Sequence, residues 1–172
     1  MNLQQLLKIM PNAPPARIGI FAPHIASTIL QYDIITAARA AAWLAQVAWE
    51  SGECRYVREI ADGTAYEGRR DLGNTQPGDG RRFPGRGLLQ ITGRANYTAC
   101  GAALGLDLVN HPELLEQPEH AAMSAGWFWD RAKLNKLADA GDFEAITRRI
   151  NGGTNGAAQR RQYYQRALQI LG

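Results

Sequence analysis

The chain has 172 residues, of which 45% are hydrophobic and 20% are charged, and its formal net charge is +3. This size and composition fit one globular domain, 1–172, with its own hydrophobic core. So small a net charge excludes a polycation, and we expect no nucleic-acid partner. No apolar run reaches about 18 residues, so no stable membrane insertion is expected.

Few side chains of the sequence suit disulfide or metal chemistry. The two cysteines, Cys54 and Cys100, are too few for a disulfide framework, and we expect free thiols. The three histidines are scattered and neither cysteine lies in a Cys-x-x-Cys motif, so the sequence predicts no metal site and no cofactor. No basic segment precedes an apolar one at the chain start, so we expect no signal peptide.

Apolar residues recur at helical spacing along most of the chain and predict short helices. Pro11 ends the first helix, and Pro23 divides the stretch 16–32, so that only its second half is expected to be helical. Thr36 is a typical N-cap for the Ala-rich helix that follows, which presents Glu50 at its C-terminal end. The predicted helices span residues 2–10, 24–32, 33–49, 93–101, 112–115, 118–133, 143–150 and 157–171.

The segment from Ser51 to Gly87 differs in composition from the rest of the chain. It contains eight glycines, two prolines and many charges, with few apolar residues at regular spacing. Irregular segments of this length are uncommon in compact domains and usually carry function. The sequence therefore predicts a mainly α fold with an irregular, Gly-rich insert.

One glutamate, Glu50, immediately precedes this insert, and another, Glu59, lies within it. Glu50 follows the apolar residues 47–49, and both their desolvating effect and the helix C-terminus would raise the pKa of its carboxyl. Glu59 lies nine residues further on, beyond the chain reversal that Gly52 permits. One protonated and one ionised carboxyl are what acid-assisted cleavage of a glycosidic bond requires.

The same acids allow simpler explanations. A glutamate at a helix end is often only solvated, and Glu59 could pair with Arg55 or Arg58 on the surface. Glu67 also competes with Glu59 for the role of the base.

Polar side chains and glycines are densest in the segment 84–97. Its glycines would let the backbone approach a ligand closely. Gln90 and Thr92 alternate with apolar residues and share a face if this run is extended, so that with Asn96 they could bind a sugar or hold a water. A tight structural turn is the alternative.

Basic and aromatic side chains complete the set of possible ligand contacts. The arginines around the insert could face anionic groups or could form a solvated loop surface. Trp49 adjoins Glu50 and is expected to line a cleft, whereas the other three tryptophans are expected in the core. The arginines are Arg69, Arg70, Arg81, Arg82, Arg86 and Arg94.

Four segments resemble glycoside hydrolase family 19. They are AWLAQVAWESG at 42–52, YEGRRDLGNT at 66–75, GRGLLQITGRANY at 85–97 and INGG at 150–153. IMPNA at 9–13 is similar to the opening of phage and prophage endolysins in that family. The resemblance implies a lysozyme-like, two-lobed helical domain with a substrate cleft, which cleaves β-1,4 links of N-acetylglucosamine-containing polymers with inversion of configuration.

The same resemblance assigns roles to residues. Glu50 would be the general acid and Glu59 the general base, and Thr92 would help to hold the attacking water. Trp49 stands where many members have a histidine, which removes a hydrogen-bonding neighbour of the acid. The residues expected to bind substrate are Glu67, Arg69, Gln90, Asn96, Tyr97, Asn151 and Arg160, the last of them near the base.

Together these features predict an endolysin that acts as a muramidase on peptidoglycan glycan strands, with no separate wall-binding module. We expect a monomer, made in the bacterial host cytoplasm, that reaches the cell wall after a holin-type partner has permeabilised the membrane. Three alternatives stay open: a chitinase, a lytic transglycosylase, which would need one carboxylate, and an inactive wall-binding module.

Overall fold

The computed structural model describes residues 1–172 and consists of nine α-helices and three 3-10 helices, without a β-strand. The mainly helical fold predicted from the sequence is confirmed. None of the helices has the length and apolar character that crossing a membrane requires. The α-helices are α1 (Leu3–Ile9), α2 (Pro15–Gln31), α3 (Ala37–Glu50), α4 (Asp79–Arg82), α5 (Arg94–Leu104), α6 (Pro118–Arg131), α7 (Leu134–Asp139), α8 (Phe143–Asn151) and α9 (Ala157–Leu171). The 3-10 helices are Thr64–Tyr66, Arg70–Leu72 and Pro112–Glu116.

Helix α3 is the central helix of the protein. Thr36 caps its N-terminus as predicted, because the Thr36 side chain accepts a hydrogen bond from the Arg39 amide at 3.2 Å. Residues 40–48 are all buried, so other elements enclose this helix on every side. It ends at Glu50, with Ser51 as its C-cap, and so presents a carboxyl where the buried stretch ends.

Two hydrophobic cores divide the structure into two lobes. The larger core has 28 buried residues, contributed mainly by α1, α2, α3 and the four helices from α6 to α9. The smaller core has seven and joins Phe83 and Ile91 to α5 and α6. Tyr32 and Phe128 pack against both cores. The two-lobed arrangement agrees with the expected fold class.

Helix α2 corrects one prediction. It runs unbroken through Pro23, whereas we expected only its second half to be helical. Pro23 cannot donate a hydrogen bond to the carbonyl four residues earlier. That carbonyl belongs to Gly19, which is exposed, so that water can reach it. Ile18 before the proline and Ile25 after it are both fully buried, and their packing holds the two halves in one helix.

Left-handed residues end or separate three of the helices, two of them at positions that apolar spacing did not predict. Helix α5 continues to Leu104, beyond the predicted end at residue 101, and Gly105 ends it with a φ of 69°. Helix α6 ends at Arg131 and α7 follows as a separate helix, because Lys133 has a φ of 57°. The predicted glycine cap of α8 is confirmed: Gly152 has a φ of 73°.

Close packing of α2 against α6 requires Gly126. A Cβ there would lie 2.2 Å from Tyr32 and 2.5 Å from Thr28. We therefore expect Gly126→Ala to lower the free energy of unfolding by about 1–3 kcal/mol, measured by chemical denaturation, because a methyl group would be forced between packed helices.

Gly19→Ala is the matched control for this prediction. Gly19 is also helical, but no heavy atom lies within 4 Å of a Cβ at that position. We expect this variant to be more stable than wild type by about 0.5–1 kcal/mol, from helix propensity alone. Equal effects of the two substitutions would show that the helix crossing does not depend on a glycine.

Candidate active site

One cavity brings together the two carboxyls predicted to be catalytic. It has a volume of about 440 Å³ and lies where the end of α3 meets the insert. Glu50 and Glu59 both line it, together with Gln90 and Thr92. A second cavity of about 560 Å³ is larger, but Glu67 is its only carboxyl. The smaller cavity, here termed the paired-carboxyl cavity, is also lined by Tyr56, Arg58, Ile60, Ala61, Tyr66 and Gly85.

A buried arginine holds Glu50. Arg160 of α9 is 1% exposed, and its guanidinium donates to Oε1 of Glu50 and to Oε1 of Gln46, one turn earlier on α3. Arg160 Nε donates to the Asn155 carbonyl at 3.1 Å, and Gln46 donates to Thr147 at 3.0 Å. Helices α3, α8 and α9 therefore share one polar network. Oε2 of Glu50 accepts no hydrogen bond within the protein, and its side chain is 20% exposed.

The surroundings of Glu50 differ from those expected. Arg160 pairs with Glu50, whereas we expected it near the base. The apolar residues 47–48 are buried in the larger core, and the carboxyl contacts a guanidinium. Trp49 does not line the cavity: its indole packs on Gly156, where a Cβ would lie 2.3 Å from the ring. The carboxyl is thus oriented by charge and hydrogen bonding, and not by an apolar pocket.

Two hydrogen bonds orient Glu59. The Gly85 amide donates to Oε1 at 2.5 Å, and the Tyr66 hydroxyl donates to Oε2 at 2.9 Å. The Glu59 amide also donates to the Gly85 carbonyl at 2.9 Å, so these two residues are tied twice. Burial and the adjacent Glu59 carboxylate raise the pKa of Tyr66, which keeps its hydroxyl a donor at neutral pH.

Glu59 does not form the surface ion pair with Arg55 or Arg58 that was the alternative to a catalytic role. Arg55 donates to the Asn12 carbonyl, and Arg58 approaches Glu116, so neither arginine pairs with Glu59. Tyr66 is absent from the predicted site residues, although it begins a segment that resembles the family motif. That motif membership is the signal in the sequence that could have identified it.

A left-handed turn joins the two carboxyls along the chain. Gly52, Glu53 and Cys54 have φ values of 55°, 60° and 63°, which are strained for residues other than glycine. Glu53 is 3% exposed and accepts hydrogen bonds from Asn12 at 3.0 Å and from the Tyr163 hydroxyl at 2.5 Å. The N-terminal segment and α9 therefore both hold the turn. No local motif predicts this role for Glu53.

Gln90 and Thr92 both line the paired-carboxyl cavity, although the run that carries them differs from the extended one considered above. Residues 87–90 form a turn in which Gln90 has a φ of 54°, so the run is not extended. The Thr92 hydroxyl donates to the Gln90 carbonyl at 2.9 Å. Gly85 packs closely on these side chains: a Cβ there would lie 2.7 Å from Oε1 of Gln90 and would displace the end of that side chain.

Six of the seven residues expected to bind substrate do not line this cavity, and one of the six is Arg160, described above. Glu67 accepts hydrogen bonds from two backbone amides at the start of α4, at 2.7 and 2.8 Å, and Arg69 pairs with a neighbouring aspartate. Asn96 donates to a carbonyl one turn earlier at 2.9 Å, and Asn151 is the last residue of α8. Tyr97 is fully buried in the smaller core and cannot contact a substrate.

The arginines around the insert are mostly neutralised within the protein. Arg69 pairs with Asp71, Arg81 with Asp62, Arg86 with Glu116 and Arg94 with Asp79, and Arg82 donates to the carbonyls of Val109 and Asn110. Most of these arginines therefore already have partners within the protein. Arg58 keeps an accessible guanidinium in the paired-carboxyl cavity, and Arg70 has no protein partner.

Both cysteines are free, as predicted, and they are buried in different lobes. Burial raises the pKa of each thiol to about 12, so neither is a nucleophile at neutral pH. No group of three or more His, Cys, Asp or Glu side chains is arranged to hold a metal ion.

Helices around two cores, with paired carboxyls at a polar cavity, define the lysozyme-like class of helical domains. The glycoside hydrolase family 19 model, described as chitinase class I, matches residues 24–163. The chain is 40% identical over 145 residues to endochitinase At2g43620 of Arabidopsis thaliana. This match covers 77% of the present chain and 47% of the endochitinase. The chain is 38% identical over 112 residues to a glycosyl hydrolase family 19 domain-containing protein of Haemophilus influenzae, covering 65% and 54% respectively.

Solved structures agree with the sequence relatives. Chitinase C from Streptomyces griseus superimposes with a TM-score of 0.79 at 26% identity, over 99% of this chain and 76% of that chain. A class IV chitinase from Zea mays gives 0.77 at 26% identity, over 96% and 90%. The chain therefore belongs to glycoside hydrolase family 19. It spans about half the length of the curated relatives named above.

A shielded ion pair fixes the insert to α5. Arg94 donates twice to Asp79, at 2.6 and 2.9 Å, and the Asp79 side chain is 1% exposed. Hydrogen bonding from the guanidinium lowers the pKa of the Asp79 carboxyl from its usual value. The pair therefore stabilises the fold above the usual aspartate pKa of about 4, and its contribution is lost as the pH falls through the lower folded-state pKa.

We expect Asp79→Asn to lower Tm at neutral pH and to have a smaller effect near about pH 3, where the wild type has lost part of the same contribution. Thermal unfolding at both pH values measures this. Asp139→Asn is the matched control, because Asp139 forms the same two-bond pair with Arg39 but is 44% exposed. We expect a smaller loss there, since solvent screens the pair. A pH-independent effect of Asp79→Asn would contradict the account.

Proposed function

We propose that the protein is an endolysin-type muramidase, which hydrolyses the β-1,4 bond between N-acetylmuramic acid and N-acetylglucosamine with inversion. The observation that supports this proposal is the pair of carboxyls, Glu50 and Glu59, on different parts of the chain but lining one cavity of about 440 Å³. Inverting glycosidases need two carboxyls around the scissile bond with room for a water between them.

Glu50 is the proposed general acid. Arg160 occupies its Oε1, so the unbonded Oε2 is the oxygen that can deliver a proton to the leaving oxygen. Negative charge develops on the carboxyl as the proton leaves. The adjacent guanidinium stabilises that charge, and it does so from a position fixed before the reaction.

Glu59 is the proposed general base. Each of its oxygens accepts one hydrogen bond, from Gly85 or from Tyr66. An ionised carboxylate offers about four acceptor positions, so either oxygen can still accept a proton from water. Thr92 lines the same cavity and is the proposed second partner of that water, which its hydroxyl would orient.

We expect Glu50→Gln and Glu59→Gln each to lower kcat at least about hundredfold, because each removes one proton transfer. Glu67→Gln should stay within about tenfold of wild type, because this carboxyl lies outside the cavity. Release of reducing ends from purified peptidoglycan measures all three.

Thermal unfolding is the folding control for these variants, because Arg160 loses its charged partner in Glu50→Gln. A large loss only in Glu67→Gln would assign the base to Glu67, and near-wild-type hydrolysis by Glu50→Gln would end the acid assignment.

Charge in the cavity wall supports peptidoglycan as the substrate. Arg58 is half exposed and reaches Glu116 only at 3.8 Å, whereas Arg86 binds that glutamate at 2.7 Å. Peptidoglycan carries carboxylates on its stem peptides, and chitin is neutral. An accessible guanidinium beside the carboxyl pair would therefore attract the wall polymer more strongly.

A chitinase is the second candidate, and it is favoured by relatives named endochitinase and chitinase C. Loss of turbidity of outer-membrane-stripped Gram-negative cells, compared with sugar release from colloidal chitin, separates a muramidase from a chitinase.

Mass spectrometry of the products tests for a lytic transglycosylase, which yields anhydro sugars, whereas hydrolysis adds water. An inactive wall-binding module would retain wall binding and release no product.

An endolysin of this kind would act as a monomer on peptidoglycan strands, without a cofactor, after a holin-type partner has opened the membrane. Expression inside a Gram-negative host tests this route. We expect rapid lysis only after the inner membrane is permeabilised, for example with chloroform. Lysis at the same rate in untreated cells would contradict dependence on a permeabilising partner.

A further inference from the structure

A second cavity of about 560 Å³ follows the paired-carboxyl cavity along the chain. Tyr66 lines the first cavity, and the next two residues, Glu67 and Gly68, line the second, here termed the side cavity. The mechanism proposed above uses none of its side chains. Its other lining residues are Arg70, Asn74, Thr75, Gln76 and Pro77.

The wall of the side cavity is held in place from behind. Asn74 is fully buried, and its side chain donates to the Tyr66 carbonyl at 2.8 Å and accepts from the Arg94 amide at 2.8 Å. The Arg94 guanidinium also donates to Oε1 of Gln76 at 3.0 Å. The Arg94 backbone amide thus holds the chain that carries Tyr66, through Asn74. The Arg94 guanidinium, itself paired with Asp79, holds Gln76 in the cavity wall.

Hydrogen-bond donors without protein partners collect at this cavity. Arg70 forms no ion pair or hydrogen bond through its side chain, whereas the other arginines around the insert are all bonded. The Thr75 hydroxyl and the Gln76 side-chain amide nitrogen also have no partner within the protein. Both oxygens of Glu67 already accept backbone amides. Beside the Glu67 carboxylate, whose oxygens are already bonded, the side cavity therefore offers one free cation and two neutral donors.

We propose that the side cavity binds a carboxylate of the peptidoglycan stem peptide, with Arg70 as its charged partner. The inference rests on the proposed function. Stem peptides are attached to N-acetylmuramic acid, so one can be present beside each bond that a muramidase cleaves. A guanidinium can donate to a carboxylate through two parallel N–H groups, and Thr75 and Gln76 add neutral donors. A chitin chain carries no carboxylate for Arg70.

Steady-state kinetics with Arg70→Gln test the proposal. We expect KM for peptidoglycan to rise about fivefold with kcat unchanged, the size expected for one partly screened ion pair. Turnover of a neutral N-acetylglucosamine oligomer should not change. Arg149→Gln is the matched control, because Arg149 is an exposed arginine of α8 that lines neither cavity. Identical kinetics for the two variants on peptidoglycan would overturn the proposal.

Binding of the free stem tetrapeptide separates this proposal from the proposed function. We expect ligand-observed NMR to detect millimolar binding to the wild type and to Arg149→Gln, and a loss of that signal with Arg70→Gln. Binding that depends on Arg70 in a protein that fails to hydrolyse peptidoglycan would support the site and reject the muramidase activity. Hydrolysis of peptidoglycan with equal tetrapeptide signals from Arg70→Gln and wild type would reject the site alone.

Discussion

Burial of Arg160 is the constraint on which both the fold and the site depend. A buried cation must be paired, because leaving its charge desolvated and unpaired costs several kcal/mol. Its partners are Gln46 and Glu50 of α3 and a carbonyl that precedes α9. The same contact therefore fixes α9 against α3 and fixes the carboxyl proposed as the acid. Glu50 therefore has a structural role in addition to the chemical role proposed for it.

The second carboxyl is positioned by a different part of the fold. Glu59 is tied to Gly85 through backbone and side chain, and the preceding Pro84 carbonyl accepts a hydrogen bond from Tyr97 in the smaller core. The two carboxyls thus depend on different lobes and are joined by the left-handed turn at 52–54. Their separation is a property of how the lobes pack, and not of any single helix.

Local features of the sequence predicted local structure. Periodicity identified most helices, Thr36 was recognised as a cap, and Glu50 was placed at the end of its helix. The two failures beside Glu50 share one physical cause, which is a partner distant in sequence. Arg160 is 110 residues from Glu50, so no spacing rule assigns it to the acid. Trp49 packs on Gly156 and not in the cavity, because α9 is adjacent to it only in the folded chain.

The central claim is that two carboxyls act on opposite faces of one sugar ring, one on the leaving oxygen and one on water. Proton NMR of the first products formed from a β-1,4-linked oligosaccharide tests this directly, before mutarotation mixes the anomers. An inverting pair predicts that the α-anomer appears first. A β-anomer as the first product would mean retention of configuration and would contradict the assignment of Glu59 as a base that activates water.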